Sequence, residues 1–225
     1  MNSELTPLLK LSEVSFTDFR EENKLLTNIS FQVNQSDRLA IVGPSGAGKT
    51  TLLRLINRLQ DPTSGLIEWD SQPLCNLSIV KLRQQIVLVP QEPKLLGMTV
   101  EETLAYPLLL QQLSKLEIEQ AIYTWQSQLS IPDDWLTRNE LQLSLGQRQL
   151  VSIMRGLMMK PKLLLLDEPT SALDSDRAQQ LIETLIHSNA TEQTTIIMVS
   201  HQKKFVKQFA KYILTLKGGQ IQSIS

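Results

Sequence analysis

Residues Gly43 to Thr50 read GPSGAGKT and follow the short apolar run Leu39–Val42. Leucines at helical spacing begin directly after them, at Leu52. Glycines, a lysine and a hydroxyl at this spacing, between a strand and a helix, are typical of a phosphate-binding loop. The glycines let several backbone N–H groups face one anion, and the helix start adds its positive dipole end. The residues predicted to bind phosphates are Gly43, Pro44, Ser45, Gly46, Ala47, Gly48, Lys49, Thr50 and Thr51.

Two side chains of this loop have separate predicted tasks. Lys49 supplies a point charge for the outer phosphates, and the Thr50 hydroxyl can ligate Mg²⁺. The alternative is a glycine-rich turn that binds nothing, and the strand and helix on either side argue against it.

An acidic pair, Asp167 and Glu168, ends the apolar run LLLL. Ligands bind at the carboxyl edge of the sheet in folds with parallel strands. An Asp there can hold the water shell of Mg²⁺, and a Glu can orient the attacking water as a base. The alternative is an ordinary turn, since Asp-Glu-Pro favours one, but the phosphate loop favours the functional interpretation.

Buried-strand and helix patterns alternate along the chain. Ile86–Val89 and Ile196–Val199 are further short apolar runs, and a helix is predicted from about Asp176 to His187. This alternation predicts an α/β fold, a parallel sheet with helices on both faces. We also expect a helix after the phosphate loop that includes Leu59 and stops at Asp61-Pro62.

Two other regions have a different character. Residues 11–42 read as short strands with turns, and Ile29, Phe31 and Val33 alternate with polar residues. Residues from about 92 to 143 read as a mostly helical insert with breaks at Pro107 and Pro132, and an amphipathic helix is expected over 147–159.

The composition is that of an ordinary globular protein. The net charge is -1, which argues against a protein that coats nucleic acid or an anionic membrane. One cysteine, Cys75, excludes an internal disulfide framework. The sequence contains no run of the roughly 18 apolar residues that a membrane span needs, and its N-terminus lacks the pattern of a signal peptide. We therefore expect a cytoplasmic protein that reaches a membrane only through another chain.

Four further motifs occur in a recognisable order. They are Gln91 after the strand IVLVP, LSLGQRQ at 143–149, SALD at 171–174, and His201 after IIMVS. With the phosphate loop and the acidic pair, they resemble the ATP-binding-cassette ATPases over nearly the whole chain. The resemblance implies a single domain over residues 1–225. It also implies a P-loop NTPase (RecA-like) parallel-sheet core, an N-terminal antiparallel β subdomain and a helical subdomain inserted at about 92–145.

The resemblance also implies roles for residues. Ser144, Gly146 and Gln147 would contact the γ-phosphate of ATP held by a second subunit, and Asp174 would reach across the dimer. Ser144 followed three residues later by Gln147 is also a capping box, and both interpretations are compatible because a capped helix start binds anions. Leu145 departs from the family, which most often has glycine there, and this puts the strength of dimer closure in question.

Gln91, Glu168 and His201 are the predicted catalytic residues, with Gln91 sensing Mg²⁺ or the attacking water and His201 contacting the γ-phosphate. Thr50, Gln91 and Asp167 form the predicted Mg²⁺ site. The second histidine, His187, is interpreted as a surface residue.

The adenine base is expected to stack on an aromatic residue ahead of the first long strand, as the family does. Phe16 and Phe19 are the candidates. Phe16 alternates with Val14 and is interpreted as core, so Phe19 is preferred.

The predicted assembly is a two-fold homodimer that sandwiches two ATP molecules and drives a separate integral membrane permease, at the cytoplasmic face of the inner membrane, with no nucleic acid bound. Residues 93–110 are a plausible docking surface, although most of their leucines are interpreted as core.

A soluble cassette ATPase acting on nucleic acid or the ribosome is the alternative, and a P-loop kinase or GTPase would not explain LSLGQ or His201. The stretches TVEETLAYP and IPDDWLTRNELQLS resemble stand-alone cassettes linked to iron export or metal tolerance, while other cargoes stay open.

Overall fold

The computed structural model describes residues 6–18 and 23–225. Its strands are β1 (Leu9–Asp18), β2 (Asn23–Val33), β3 (Arg38–Val42), β4 (Ser64–Trp69), β5 (Gln72–Pro73), β6 (Ile86–Val89), β7 (Leu163–Asp167), β8 (Thr195–Val199), β9 (Tyr212–Lys217) and β10 (Gln220–Ile224). Its helices are α1 (Lys49–Ile56), α2 (Ile79–Gln85), α3 (Val100–Leu110), α4 (Lys115–Leu129), α5 (Leu145–Met158), α6 (Ser175–Glu192) and α7 (Lys203–Phe209). Across these described residues, none of the helices combines the length and the apolar character that crossing a membrane requires.

A six-stranded sheet in the order β10-β9-β3-β8-β7-β6 forms the centre of the fold. Its strands are parallel except for β10, which pairs antiparallel with β9. Ile41 of β3 and Asp167 of β7 both lie beside Val199 of β8, so these three strands end at one level. The phosphate loop, Gln91, Asp167 and His201 therefore leave the sheet at the same edge.

A second sheet, antiparallel and in the order β2-β1-β4-β5, packs beside the first. The predicted fold class is confirmed, with a parallel core, an antiparallel N-terminal sheet, and the helices α3 and α4 between β6 and β7.

Strand β7 shows why the core has two sides. Successive side chains of a strand point to opposite faces, and every residue of β7 is buried. Leu164 and Leu166 pack into a cluster with the helices α3, α4 and α5. Leu163 and Leu165 pack into a second cluster with α1 and the antiparallel sheet. A continuous apolar run is the expected sequence of a strand that is covered on both faces.

Helix α1 is shorter than predicted. It ends at Ile56, and Leu59 is outside the helix and 51% exposed. The Asn57 side chain donates a 2.5 Å hydrogen bond to the carbonyl of Ile86, and Arg58 takes a left-handed conformation with φ of 54°. A left-handed residue after the last turn ends a helix, so this contact with β6 sets the boundary before Asp61-Pro62 is reached.

The predicted break at Pro107 is wrong, because Pro107 lies inside α3. Proline in a helix interior costs about 3 kcal/mol, since it removes one backbone hydrogen bond and crowds the preceding turn. Leu104 and Leu108, on either side of it, are fully buried against α5 and its neighbours. Burial of these side chains offsets the cost, as packing commonly overrides local propensity.

Candidate nucleotide-binding site

A cavity of about 450 Å³ opens at the carboxyl edge of the six-stranded sheet. It brings together the phosphate loop, the acidic pair, Gln91 and His201, which come from four parts of the sequence. The lining residues are Leu25, Gly43, Ser45, Gly46, Ala47, Gly48, Lys49, Thr50, Thr51, Gln91, Asp167, Glu168, Val199 and His201. Of the predicted loop residues only Pro44 is absent from this lining, although its carbonyl accepts a hydrogen bond from Lys49.

The loop backbone requires glycine for two different reasons. Gly46 has φ of 75° with open space around it, so the left-handed conformation itself excludes other residues. At Gly48, φ is 95° and a Cβ would lie 2.7 Å from the Leu26 side chain and 2.8 Å from the Leu25 carbonyl oxygen. Gly48 also caps α1, so the backbone curls directly into the helix start. This curl directs backbone N–H groups into the cavity.

Lys49 is held within the loop. Its ammonium group donates hydrogen bonds of 2.9 Å to the carbonyls of Gly43 and Pro44. An ammonium group has three N–H donors, so one is left for an anion. The lysine therefore fixes the loop and presents positive charge to the cavity.

Asp167 is 4% exposed beside the Thr50 hydroxyl. Burial raises the pKa of its carboxyl above the usual Asp value, while the hydrogen bond from Thr50 and the positive charges of Arg54 and Lys49 act in the opposite direction. A buried carboxylate next to a hydroxyl, at the mouth of a phosphate loop, is a donor set that suits a small, hard divalent cation such as Mg²⁺.

We expect Asp167→Asn to stabilise the nucleotide-free protein at neutral pH by about 0.5–2 kcal/mol, the usual range for a single stabilising substitution. Because the folded-state pKa is raised, the charge of Asp167 costs folding free energy at neutral pH, and this cost disappears as the pH falls toward the unfolded-state value of 3.8. The gain should therefore shrink as the pH is lowered.

Urea unfolding at stepped pH measures the effect. Asp176→Asn, at an exposed position in the first turn of α6, is the control and should give no gain. A gain for Asp167→Asn that is independent of pH, or a loss of stability at neutral pH, would contradict the expectation.

Glu168 and His201 form a close pair at the cavity. The Nδ1 atom of His201 lies 2.8 Å from Oε2 of Glu168. The Glu168 side chain is 11% exposed, whereas that of His201 is 64% exposed. Glu168 has φ of 49°, and non-glycine residues in this conformation carry local strain that clusters at functional sites. The arrangement gives a nearly buried carboxylate, oriented by an imidazole, which is what a base for water requires.

The LSLGQRQ segment at 143–149, called the signature segment from here on, lies elsewhere on the protomer, and α5, which begins within it, is called the signature helix. Ser144, Gly146 and Gln147 are at the start of α5 and do not line the cavity. The capping box is present, because Gln147 N–H donates to Ser144 Oγ at 3.2 Å and Ser144 N–H donates to Gln147 Oε1 at 2.8 Å.

Gly146 is needed within its own chain. A Cβ at this position would lie 2.5 Å from the carbonyl oxygen of Ala172, a residue of the SALD segment. The start of α5 is therefore packed directly against that segment. Leu145 beside it is 49% exposed.

The remaining predicted residues have varied positions. Asp174 caps α6, since its Oδ1 accepts a 2.9 Å hydrogen bond from Arg177 N–H, and it does not line the cavity. Phe19 lies outside the described residues. Phe16 is partly buried against the core, and His187 is exposed, as expected.

Leu25 and Val199 line the cavity but were not predicted. The alternation Ile29, Phe31, Val33 places odd-numbered residues of β2 toward the core. Asn28 has φ of 51° at an irregularity in the pairing of β1 with β2, and this reverses the alternation. Leu26 is then fully buried, and Leu25 is directed to the cavity. Adjacent leucines at 25 and 26 are the only sequence signal of this reversal.

The chain is similar to known proteins over most of its length. The family described as ABC transporter matches residues 26–171. The probable iron export ATP-binding protein FetA of Escherichia coli is 35% identical, over 97% of this chain and 96% of that protein. The glutamate/glutamine/aspartate/asparagine transport ATP-binding protein BztD of Rhodobacter capsulatus is 36% identical, over 88% of this chain and 76% of that protein.

Among solved structures, the dimeric ATP-binding cassette MJ0796 bound to ADP and Pi superposes with a TM-score of 0.90 and 28% identity, over 96% of this chain and 97% of that one. That structure is of a post-hydrolysis state. Sequence similarity and fold agree over almost the full length of the chain, which therefore belongs to the ABC transporter family as an ATP-binding cassette that hydrolyses ATP.

Proposed function

We propose that this chain is the ATP-hydrolysing subunit of a transporter, and that it drives a separate membrane permease by closing as a homodimer around ATP. One observation carries the proposal. The phosphate loop lines the cavity, whereas Ser144 and Gly146 lie outside it in the same protomer. A second copy, related by a two-fold axis, can bring its own signature helix to that cavity.

Each ATP would then be bound by two chains. Lys49 and Thr50 of one protomer bind its phosphates, and Ser144 and Gly146 of the partner subunit cover the γ-phosphate. Closure surrounds the developing negative charge with backbone N–H groups and cations, which is the main source of catalysis in phosphoryl transfer. Asp174 at the start of α6 is proposed to contribute to the same interface between the two chains.

Within the cavity, Glu168 orients the attacking water and accepts its proton, and His201 holds the carboxylate and reaches the γ-phosphate. Thr50, Asp167 and Gln91 are the proposed Mg²⁺ residues, and the bound ion would neutralise phosphate charge. Loss of the γ-phosphate removes the contact that joins the two chains, so the dimer opens. ATP thereby shifts a two-state equilibrium between open and closed forms.

The outer side of α3 supports docking of a permease. Leu95, Leu104 and Leu108 are buried, which agrees with the core interpretation for these leucines. Leu109 and Leu110, however, are 58% and 64% exposed at the end of the helix. Tyr106, Leu109 and Leu110 are exposed and lie on one face of α3, because they are spaced i, i+3 and i+4. We name these three residues the α3 patch. Grouped exposed apolar residues mark interaction sites.

The proposed cargo is a metal ion, iron in particular, which the transporter would export. The similarity to a probable iron export protein over nearly the full length of both chains supports it. The similar identity to a protein for amino-acid transport shows that the cassette fold serves other cargoes too. The proposed location is the cytoplasmic face of the inner membrane, where the permease holds the cassette.

Purification of the tagged chain from its own cells in detergent tests the proposal. We expect one integral membrane protein to be recovered with the wild type and lost with the double variant Leu109→Glu/Leu110→Glu, because charge prevents burial of an apolar contact. The control is Leu141→Glu, at a leucine that is 93% exposed and outside the α3 patch. Both variants should bind ATP normally. Recovery of ribosomal RNA or DNA instead would favour the soluble alternative and overturn the transporter assignment.

A further inference from the structure

The backbone just after Gln91 is held by side chains from distant parts of the chain. Leu95 N–H donates a 3.1 Å hydrogen bond to Oε2 of Glu140, and the Leu95 carbonyl accepts a buried 3.0 Å hydrogen bond from the Thr103 hydroxyl. The Leu95 side chain is fully buried in the cluster with α3, α4 and α5. Both backbone groups of Leu95 are thus satisfied outside any regular element, which fixes this part of the loop firmly to its surroundings.

The other oxygen of the Glu140 carboxylate faces the signature helix. Oε1 lies 3.6 Å from Nη1 of Arg148, and the two side chains are 26% and 28% exposed. Partial burial of both groups reduces screening by solvent and salt. Arg148 belongs to the first turn of α5, where its N–H donates to the Ser144 carbonyl at 3.0 Å. The Glu140 carboxylate therefore connects the loop after Gln91 with Arg148, whose backbone is hydrogen-bonded to Ser144.

The position of Glu140 is itself well defined. It begins a 3₁₀ turn that Asn139 caps, with Asn139 Oδ1 accepting from Leu141 N–H at 3.0 Å. We call residues 90–99, between β6 and α3, the Gln91 loop. Asn139 also forms an isolated β-bridge with Thr99, the last residue of this loop. The backbone is thus held at Asn139 and Leu141, on either side of Glu140. The Glu140 carboxylate therefore has little freedom to move with Leu95 without also moving with Arg148.

We propose that Glu140 is a positioning residue that makes the Gln91 loop and the start of α5 move as one unit. A shift of Gln91 at the nucleotide cavity is then transmitted through Leu95 and Glu140 to Arg148, which places Ser144 for contact with the partner's nucleotide. This inference rests on the proposed function, since it concerns dimer closure. Glu140 does not line the cavity, so it acts on closure and not on binding of ATP by one chain.

The test uses the full chain carrying Glu168→Gln, in which ATP-dependent dimers accumulate, with and without Glu140→Ala. We expect Glu140→Ala to weaken ATP-dependent dimerisation about tenfold, the usual effect of losing a hydrogen bond to a charged group. ATP affinity of the monomer should stay within about twofold of its parent. Glu140→Gln keeps an acceptor for Leu95 N–H but loses the charge opposite Arg148, so its dimerisation should lie between the two. Sedimentation and ATP titration measure these quantities.

A double-mutant cycle and a control separate this role from general loss of stability. Arg148→Ala should have little further effect once Glu140→Ala is present, because the coupling has already been removed. Asp134→Ala breaks the exposed ion pair with Arg138 in the same segment and should leave dimerisation unchanged.

Three results would overturn the proposal. If Glu140→Ala dimerises as well as the Asp134→Ala control, the role of Glu140 is rejected while the proposed dimer stands. If both Glu140 variants lose thermal stability and ATP affinity together, the role of Glu140 is merely structural. If the Glu168→Gln parent itself stays monomeric in ATP, the proposed dimer mechanism fails, and the role of Glu140 fails with it.

Discussion

Glu168→Gln is expected to bind ATP, accumulate as a closed dimer and hydrolyse ATP about 10²–10⁴-fold more slowly than the wild type, the usual loss on removing a general base. Glutamine has nearly the same shape as glutamate, and its amide oxygen can still accept from His201, whose Nδ1 lies 2.8 Å from the carboxylate. The cavity is therefore preserved while the proton acceptor is lost. In the proposed closed dimer, ATP that is bound and not hydrolysed would keep the two chains joined.

Phosphate release measures the rate, and size-exclusion chromatography in ATP and in ADP measures the oligomeric state. Glu183→Gln, on the exposed side of α6, is the control and should leave both unchanged. The wild type should turn over faster per chain as its concentration rises, since the proposed active form is a dimer. Near-normal hydrolysis by Glu168→Gln, or full activity of an isolated protomer, would contradict the assignment of the base and of the shared site.

The sequence predicts the cavity well because its parts follow short apolar runs. The central residues of strands β3, β6, β7 and β8 are covered on both faces, so these strands appear in the sequence as short continuous apolar runs. The carboxyl ends of parallel strands meet at one edge of the sheet, so the polar residues at or just after these ends are expected to lie in one site. Gln91, Asp167 and His201 could be grouped in this way without knowledge of any distance.

What the sequence does not predict depends on contacts between distant residues. The contact of Asn57 with Ile86 ends α1 early, and buried neighbours keep α3 continuous through Pro107. The reversed alternation at Asn28 turns Leu25 into the cavity.

The bridge from Glu140 to Leu95 spans 45 residues and leaves no periodic pattern that could be read. The choice of Phe19 for adenine stacking stays a prediction.

Lys49→Ala is expected to weaken ATP binding roughly 10–100-fold, the range for losing a hydrogen bond to a charged group, and to abolish measurable hydrolysis. Two effects combine. The ammonium group that lines the cavity is lost, and so are its 2.9 Å hydrogen bonds to the carbonyls of Gly43 and Pro44, which hold the loop closed. Titration with a fluorescent ATP analogue measures the affinity, and Lys81→Ala, at an exposed position on α2, is the control.

Combining this substitution with the first one orders the events of the cycle. If ATP is what joins the two chains, Lys49→Ala/Glu168→Gln should stay monomeric at ATP concentrations that fully dimerise Glu168→Gln, because the contact across the interface is made through the nucleotide. The double variant should dimerise only when ATP is raised in proportion to its lost affinity. Dimers that form equally well without Lys49 would mean that the protomers associate through protein contacts alone, and unchanged ATP affinity in Lys49→Ala would refute the assignment of the phosphate loop.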